Sequence, residues 1–161
     1  MADYSTYLTG WRLWRIKEHL GVPELCPVWI DHAPAWPGRQ PASAQCLIDP
    51  VASRRSSCSL APTRECGCGL YAYRLRTPVG PEFNYAKGDL WDRWAGGRVA
   101  LWGRLLEHQA GYRAEYAYPL SLFVPATMEA YVPGLGQHYG VPVQVIPGSE
   151  VLGEALLLPA G

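Results

Sequence analysis

The sequence RVALWGRLLEHQAGYRAEYAYPLSLF, residues 98–123, contains the strongest secondary-structure signal of the chain. Residues 98–108 and 112–123 are both rich in side chains that favour extended backbone. Between them lies the short segment 109–111, which ends in glycine. Two such runs around a glycine-containing connection are typical of a β-hairpin. The pattern therefore predicts two long antiparallel strands joined by a tight turn.

The segments upstream of this hairpin are mostly short. Residues 9–16 carry bulky side chains at both alternating sets of positions, so we expect a strand that is partly covered on both faces. The runs 25–30 and 44–48 are too short for a helix and predict short strands. Residues 70–75 fit the period of a strand and that of a helix equally well, and both alternatives stay open there.

The longest helical pattern follows the hairpin, at residues 127–138. Thr127 is the candidate N-cap and Gly140 the candidate C-cap of this helix. Pro133 and Gly134 lie inside the segment, and both residues disfavour a helix interior. We therefore expect a helix that is short or broken.

Two further segments complete the outline of the fold. Residues 77–97 are rich in Pro, Gly and Trp and predict a long connection, with one helical turn near residues 89–94. Residues 141–146 predict a strand, and the apolar tail 148–161 has no predicted partner.

Four of the five cysteines fall in one polar, Arg- and Ser-rich stretch. Cys46, Cys58, Cys66 and Cys68 are separated by eleven, seven and one residues, and glycines follow the last two. Four thiolates in so short a window can close a tetrahedral site, and zinc takes four S or N ligands. We therefore predict that the four cysteines bind a structural zinc ion, which holds the loop 46–68.

Other interpretations of these cysteines stay open. Four thiolates also hold iron-sulfur clusters, and cysteines are often simply buried in the core. Cys26 lies in a short apolar run and is interpreted as a core residue. A closed site of four cysteines leaves no open coordination position, so the metal is expected to stabilise the fold rather than to catalyse a reaction.

The composition sets the fold class. Fifteen prolines and seventeen glycines divide the 161 residues into short segments of the kind that build sheets and turns. We expect one domain, residues 1–161, of the α+β class and mostly β. The predicted architecture is a small antiparallel sheet or partly open barrel, with one short helix and a metal-stapled loop.

Charge and hydropathy restrict the function. Fourteen basic residues balance fourteen acidic ones, which is not the footprint of a dedicated nucleic-acid binder. No apolar run is long enough to cross a membrane, and the N-terminus lacks the pattern of a signal peptide. We expect a soluble, cytoplasmic protein without a membrane partner. In that reducing compartment, clustered cysteines indicate metal binding rather than disulfides.

Candidate catalytic residues lie near the tip of the hairpin. Glu107, His108, Arg113 and Glu115 are an acid, a base and an anion-binding group within nine residues. A solvent-facing turn with an ion pair between Arg113 and Glu107 or Glu115 explains the same pattern, and we favour it. The chain contains no established hydrolase, phosphate-loop, dinucleotide or zincin motif, which favours a protein that is not an enzyme.

Two binding functions are consistent with the aromatic content. A nucleic-acid-binding module would combine stacking aromatic rings with the arginines around the metal loop, namely Arg54, Arg55, Arg64, Arg74 and Arg76. A protein-binding module would instead use exposed tryptophans as anchors, and the candidates are Trp36, Trp91 and Trp94.

Two stretches carry a resemblance to a known group: CGCGLYAY at residues 66–73 and WGRLLEHQAGYRAEYAYP at residues 102–119. The chain resembles small actinobacterial proteins that pair a C-x-C-G-[IL]-Y-A block with a W-G-x-V-x-E-H-x-x-G-[YW]-R-A-E-x-A-x-P block. That group brings no established function. Its members tend to have histidine near the position of Cys58, and such an exchange is one that a zinc ligand tolerates.

Overall fold

In the described part of the chain, the predicted hairpin lies at the centre of a mixed, seven-stranded sheet. The structure is a computed structural model, which describes residues 7–28, 33–47, 58–75 and 93–146. The strands in chain order are β1 (Leu8–His19), β2 (Val22–Cys26), β3 (Ala42–Ser43), β4 (Leu70–Tyr73), β5 (Trp94–His108), β6 (Gly111–Pro125) and β7 (Val143–Ile146). A 3₁₀ helix (Ala126–Tyr131) and an α-helix, α1 (Val132–Tyr139), separate β6 from β7.

The hairpin of β5 and β6 confirms the strongest prediction from sequence. His108 pairs with Gly111 across a two-residue turn, and the pairing continues back to Gly96 and Phe123. β5 starts at Trp94, so the prediction that residues up to Gly97 belong to a connection is wrong. The physical reason is that β5 passes very close to β6: a Cβ on Gly97 would overlap the carbonyl oxygen of Ser121. Glycine is required there by the sheet rather than by a turn.

β1 continues further than the predicted segment 9–16 and pairs with three strands. Its first half pairs with β5, its second half with β2, and Trp11 also pairs with Tyr73 of β4. The turn into β2 is made by Leu20 and Gly21, whose φ angles of 51° and 79° suit a two-residue hairpin turn. β2 ends at Cys26, earlier than the predicted segment 25–30, of which residues 29 and 30 lie outside the described residues.

The short strands correct two details of the predicted fold and decide between the two alternatives for a third. The segment 44–48 was predicted as a strand, but the structure has a two-residue strand, β3, at Ala42–Ser43, which pairs with β6. Within residues 70–75, for which the sequence allows a strand or a helix, Leu70–Tyr73 form the strand β4. β7 runs parallel to β6, so the sheet is mixed rather than wholly antiparallel, and it does not close into a regular barrel. The mostly-β class with one short helix is confirmed.

The α-helix begins at Val132, five residues later than expected, because a 3₁₀ helix occupies residues 126–131. Thr127 is not an N-cap, because it lies inside the 3₁₀ helix, whose cap position is Pro125 without a side-chain cap bond. Pro133 is in the first turn of α1, where its missing N–H has no partner to lose. Gly140 is confirmed as the C-cap: its φ is 68° and its N–H bonds to the carbonyl of Gly136.

The core is packed between the sheet and α1. Trp14, Leu25, Leu101, Leu135 and Tyr139 are among its fully buried side chains. Because one face of the sheet and the inner side of α1 share this core, the helix cannot move without opening it.

The buried side chain of Tyr139 forms hydrogen bonds to the backbone of two neighbouring segments. Its hydroxyl accepts a hydrogen bond of 2.7 Å from the N–H of Leu25 and donates one of 2.9 Å to the carbonyl of Trp36.

Neither described helix has the length or the apolar run that a membrane crossing needs. The predicted tail 148–161 and residues 89–92 of the predicted helical turn lie outside the described residues.

Candidate metal centre

The four predicted sulfur ligands come together in the structure. The Sγ atoms of Cys46, Cys58, Cys66 and Cys68 all lie within 4.8 Å of one another. The Sγ atoms of Cys58 and Cys68 are 3.2 Å apart, and those of Cys46 and Cys66 are 3.7 Å apart. Four thiolates around one zinc ion, at Zn–S distances of about 2.3 Å, are about 3.8 Å apart. All four are free thiols, and the cluster has the dimensions of a site for one ion.

The sheet positions the cysteines from two sides. Cys46 follows β3, whose exit is fixed by a 2.7 Å hydrogen bond from the N–H of Ala44 to the carbonyl of Glu115. Cys66 and Cys68 stand directly before β4. Gly69 turns the chain into that strand with a φ of 127°, a conformation in which a side chain would be strained and would press on Arg113.

Arg113 of β6 organises the segment that carries these cysteines. Its Nη1 donates to the carbonyl oxygens of Thr63 and Cys68, at 3.1 and 2.9 Å, and to that of Cys66. The carbonyl of Thr63 also accepts from the N–H of Cys66. One guanidinium therefore binds three peptide groups of the segment that carries Cys66 and Cys68.

Two thiols of the cluster, those of Cys58 and Cys66, have raised pKa values. The pKa of Cys58 is raised to about 12, first by its side-chain hydrogen bond with Cys68 and then by that with Cys46. Burial raises the pKa of the Cys66 thiol. Because a metal ion binds thiolates, it must displace these protons, and its affinity must depend on pH.

The remaining cysteine and the histidines lie elsewhere. Cys26 is buried at the end of β2, as predicted for a core residue, and burial raises its pKa. Among the described residues, the group of potential ligands contains no histidine. His19 is exposed on β1, and the ring of His138 packs edge-on against Tyr139. His32 lies outside the described residues.

The four candidate catalytic residues of the hairpin do not meet at one point. Glu107 pairs with Arg74 at 2.7 Å, and Glu115 accepts a hydrogen bond of 2.8 Å from the backbone N–H of Arg104. The ion pair expected between Arg113 and either glutamate is therefore wrong, because Arg113 turns to the carbonyls of the cysteine segment. His108 lies near Tyr71, with 5.9 Å between the two ring centroids.

Two of the three tryptophans predicted as exposed anchors are buried. Trp36 is 3% exposed and Trp94 is 0% exposed, so both belong to the core. Trp91 lies outside the described residues. Of the arginines assigned to a nucleic-acid surface, Arg64 is exposed and Arg74 is bound to Glu107, while Arg54, Arg55 and Arg76 lie outside the described residues.

A cavity of about 1220 Å³ opens beside the cysteine cluster. It lies between the β1 and β4 part of the sheet, residues 33–47 and the segment 66–69. We call it the aromatic cleft, because four aromatic rings line it together with one guanidinium and one imidazole: Trp11, Trp36, Tyr71, Tyr73, Arg12 and His108.

The candidate centre thus consists of four thiols, a guanidinium that binds the surrounding carbonyls, and a neighbouring cleft. No family model, no curated protein and no solved structure matches the chain. The resemblance to the actinobacterial group stays a prediction, and the chemistry of the site is inferred from its own atoms.

Proposed function

We propose that the protein is a binding module whose cysteine segment is held in place by a structural zinc ion on Cys46, Cys58, Cys66 and Cys68. The observation that carries this proposal is the mutual separation of the four Sγ atoms, all within 4.8 Å. Sulfur atoms this close repel one another once they ionise, and the pKa values of Cys58 and Cys66 are already raised. A shared divalent cation relieves that repulsion and uses all four as ligands.

The same spacing favours a single ion over an iron-sulfur cluster. In a cluster of two or four irons the thiolates bind different metal atoms and are spread around the cluster. Here every pair of sulfurs is close, including Cys46 with Cys66 at 3.7 Å. A single tetrahedral ion fits this arrangement, and zinc is the usual occupant of a closed four-thiolate site.

The proposed role of the ion is structural. Residues 58–69 contain no regular strand or helix, so few backbone hydrogen bonds offset the entropy lost when they are ordered. Coordination by thiolates from both ends of this segment supplies that free energy. Four protein ligands fill the tetrahedron, so no position is open for a substrate or an activated water.

Elemental analysis and the visible absorption spectrum of the purified protein test the proposal. We expect one equivalent of zinc for each chain and a colourless solution. Iron with a brown colour would instead assign redox chemistry to the centre, and protein that contains no metal and takes up none would contradict the proposal. Replacement of the zinc by Co²⁺ should produce the intense visible bands of a tetrahedral thiolate site.

A further inference from the structure

We propose that Cys58 and Cys68 form a peroxide-sensitive modification site, at which a reversible disulfide replaces two of the four metal ligands. The inference rests on the proposed zinc function and adds a regulation of the same centre. Three observations carry it: the distance between the two sulfur atoms, their exposure, and the irregular backbone of the segment that contains them.

The two sulfur atoms lie close enough to bond after a small movement. The Sγ atoms of Cys58 and Cys68 are 3.2 Å apart, closer than the spacing of about 3.8 Å expected for two thiolates on one zinc ion. A disulfide needs about 2.0 Å between its sulfurs, so roughly 1 Å remains to be closed. Cys46 and Cys66 form a second pair at 3.7 Å. Of these two pairs, Cys58 and Cys68 have the shorter path to a bond.

An oxidant in solution can reach this pair. Cys58 and Cys68 are both partly exposed, whereas Cys66 is 8% exposed and the core residue Cys26 is 6% exposed. Oxidation of cysteine requires a thiolate that solvent can reach, and a cysteine that binds a metal ion is a thiolate. Exposure therefore favours the reaction of Cys58 and Cys68 over that of the two buried cysteines.

The backbone allows one partner to approach the other. Residues 58–69 contain no regular strand or helix, so no ladder of sheet hydrogen bonds holds Cys58 in place. Cys68 is held more firmly, because Arg113 binds its carbonyl oxygen at 2.9 Å and β4 begins two residues later. We therefore expect Cys58 to move towards Cys68, while β4 and β6 keep their positions.

The reaction balances with hydrogen peroxide or another peroxide as the oxidant. The thiolate of Cys58 attacks one oxygen of the O–O bond, which forms a sulfenic acid and releases hydroxide. The thiolate of Cys68 then attacks the sulfenic sulfur, forms the S–S bond and expels a second hydroxide. Two electrons pass from the two sulfurs to the peroxide, and two protons from solvent convert both hydroxides into water.

Formation of the disulfide opens the metal site. Only Cys46 and Cys66 remain as ligands, and two thiolates do not fill the tetrahedron of a structural zinc ion, so we expect the ion to leave. Residues 66–69 also form one wall of the aromatic cleft, and their rearrangement changes the shape of that cavity. A thiol reductant restores both thiols and allows zinc to bind again. The centre is thereby a reversible switch.

Treatment of the zinc-loaded full chain with hydrogen peroxide tests the proposal. A chromophoric zinc indicator follows the release of metal, and a thiol reagent counts the thiols that remain. We expect the loss of two thiols for each zinc ion released, and the recovery of both thiols after addition of dithiothreitol. Zinc that stays bound in peroxide, or oxidised cysteines that dithiothreitol does not recover, would overturn the proposal.

Peptide mapping identifies the bridge. Trypsin cleaves after Arg64 and so separates Cys58 from the peptide that contains Cys66 and Cys68. Fragmentation of that peptide at Gly67 in a mass spectrometer then distinguishes Cys66 from Cys68. We expect the first bridge to join Cys58 and Cys68. A first bridge between any other two cysteines contradicts the assignment.

Two histidine variants separate the pair from the metal site. Histidine is itself a zinc ligand, so Cys58→His and Cys46→His both retain four ligand side chains and three cysteines. Only Cys58→His removes a sulfur of the proposed pair. We expect Cys46→His to release zinc in peroxide as the parent protein does, and Cys58→His to release it more slowly. Equal rates of release from the two variants would contradict the proposal.

The outcomes distinguish this inference from the proposed zinc function. A parent protein that contains zinc and retains it in peroxide contradicts this inference alone. A protein that contains no zinc, yet forms the bridge between Cys58 and Cys68, contradicts only the zinc function. If a histidine variant does not fold, the bridge mapped in the parent protein decides the question.

Discussion

Arg113 on β6 donates a 2.9 Å hydrogen bond to the carbonyl oxygen of Cys68, a residue 45 positions earlier in the chain. This contact joins the long hairpin to the segment that carries the sulfur atoms. It exists because Tyr71 of β4 pairs directly with Arg113, which brings residues 66–69 over the arginine side chain. The guanidinium of Arg113 therefore links β6 to the cysteine segment through hydrogen bonds.

Loss of a cysteine of the cluster should release the metal, whereas loss of Cys26 should not. Cys66→Ser removes one of four ligands, and we expect the zinc content to fall well below one equivalent and the melting temperature to drop. Cys26→Ser is the matched control, since Cys26 is buried at the end of β2 and outside the cluster. Equal zinc content in the two variants, measured by elemental analysis, would contradict the assignment.

Arg113 should tune the metal affinity without being a ligand. Arg113→Met removes the hydrogen bonds to three carbonyls, so we expect the zinc affinity to fall about tenfold or more. Competition with a chromophoric chelator measures this change. Arg104→Met is the control, because the Arg104 side chain is exposed and only its backbone is bonded to Glu115. Equal chelator competition in both variants would show that Arg113 plays no part.

Metal affinity should fall as the pH falls. The pKa of Cys58 is raised to about 12 and that of Cys66 is also raised, so these thiols retain their protons in the metal-free protein. Each thiol that binds the ion must release a proton, and a higher proton concentration therefore favours the free site. A cobalt titration between about pH 6 and pH 8 should show weaker binding at the acidic end. A cobalt affinity that does not change over this pH range would contradict the claim that these thiols are protonated in the metal-free protein.

Tyr139→Phe should destabilise the fold through the polar groups that it leaves behind. The N–H of Leu25 and the carbonyl of Trp36 would lose their partner in a buried environment. The expected loss is about 1 to 3 kcal/mol in the free energy of unfolding, measured in denaturant. Tyr116→Phe is the comparison, since Tyr116 is half-buried and stacks on Trp102 through its ring. An equal loss of unfolding free energy in Tyr116→Phe would show that the Tyr139 hydroxyl has no special role in stability.

The same tyrosine makes stability sensitive to alkaline pH. Burial raises the pKa of Tyr139 above its ordinary value of about 10. The unfolded chain therefore loses this proton at a lower pH than the folded protein does. The stabilising contribution is complete below about pH 10 and decreases as the pH rises further. The slope of the unfolding free energy against pH above that point should be smaller for Tyr139→Phe, and an equal slope would exclude Tyr139 as the cause.

The sequence was informative where local chemistry determines structure. Four cysteines concentrated in a polar stretch are typical of a metal site. The sequence alone therefore predicts that Cys46, Cys58, Cys66 and Cys68 share one ion. The turn at Gln109 and Ala110 is also predicted by a local pattern, because a short turn segment separates two β-prone runs.

Other features depend on pairing partners that a single sequence does not reveal. The position of β3 is set by its contact with β6 rather than by its own two residues. The contacts of Arg113 require the β4–β6 register, and the burial of Trp36 requires its packing against Trp14. Tertiary contacts decide all three, and no local pattern encodes them.

The outer edge of β2 has a consequence for how copies of this protein behave in a crowded cell. Leu25 directs its amide N–H and its carbonyl away from β1, where a strand from another molecule could add. Both groups are occupied, one by the Tyr139 phenol and the other by the Trp36 amide. A strand from another molecule therefore finds no free backbone group at Leu25, which removes this point of addition for intermolecular sheet growth.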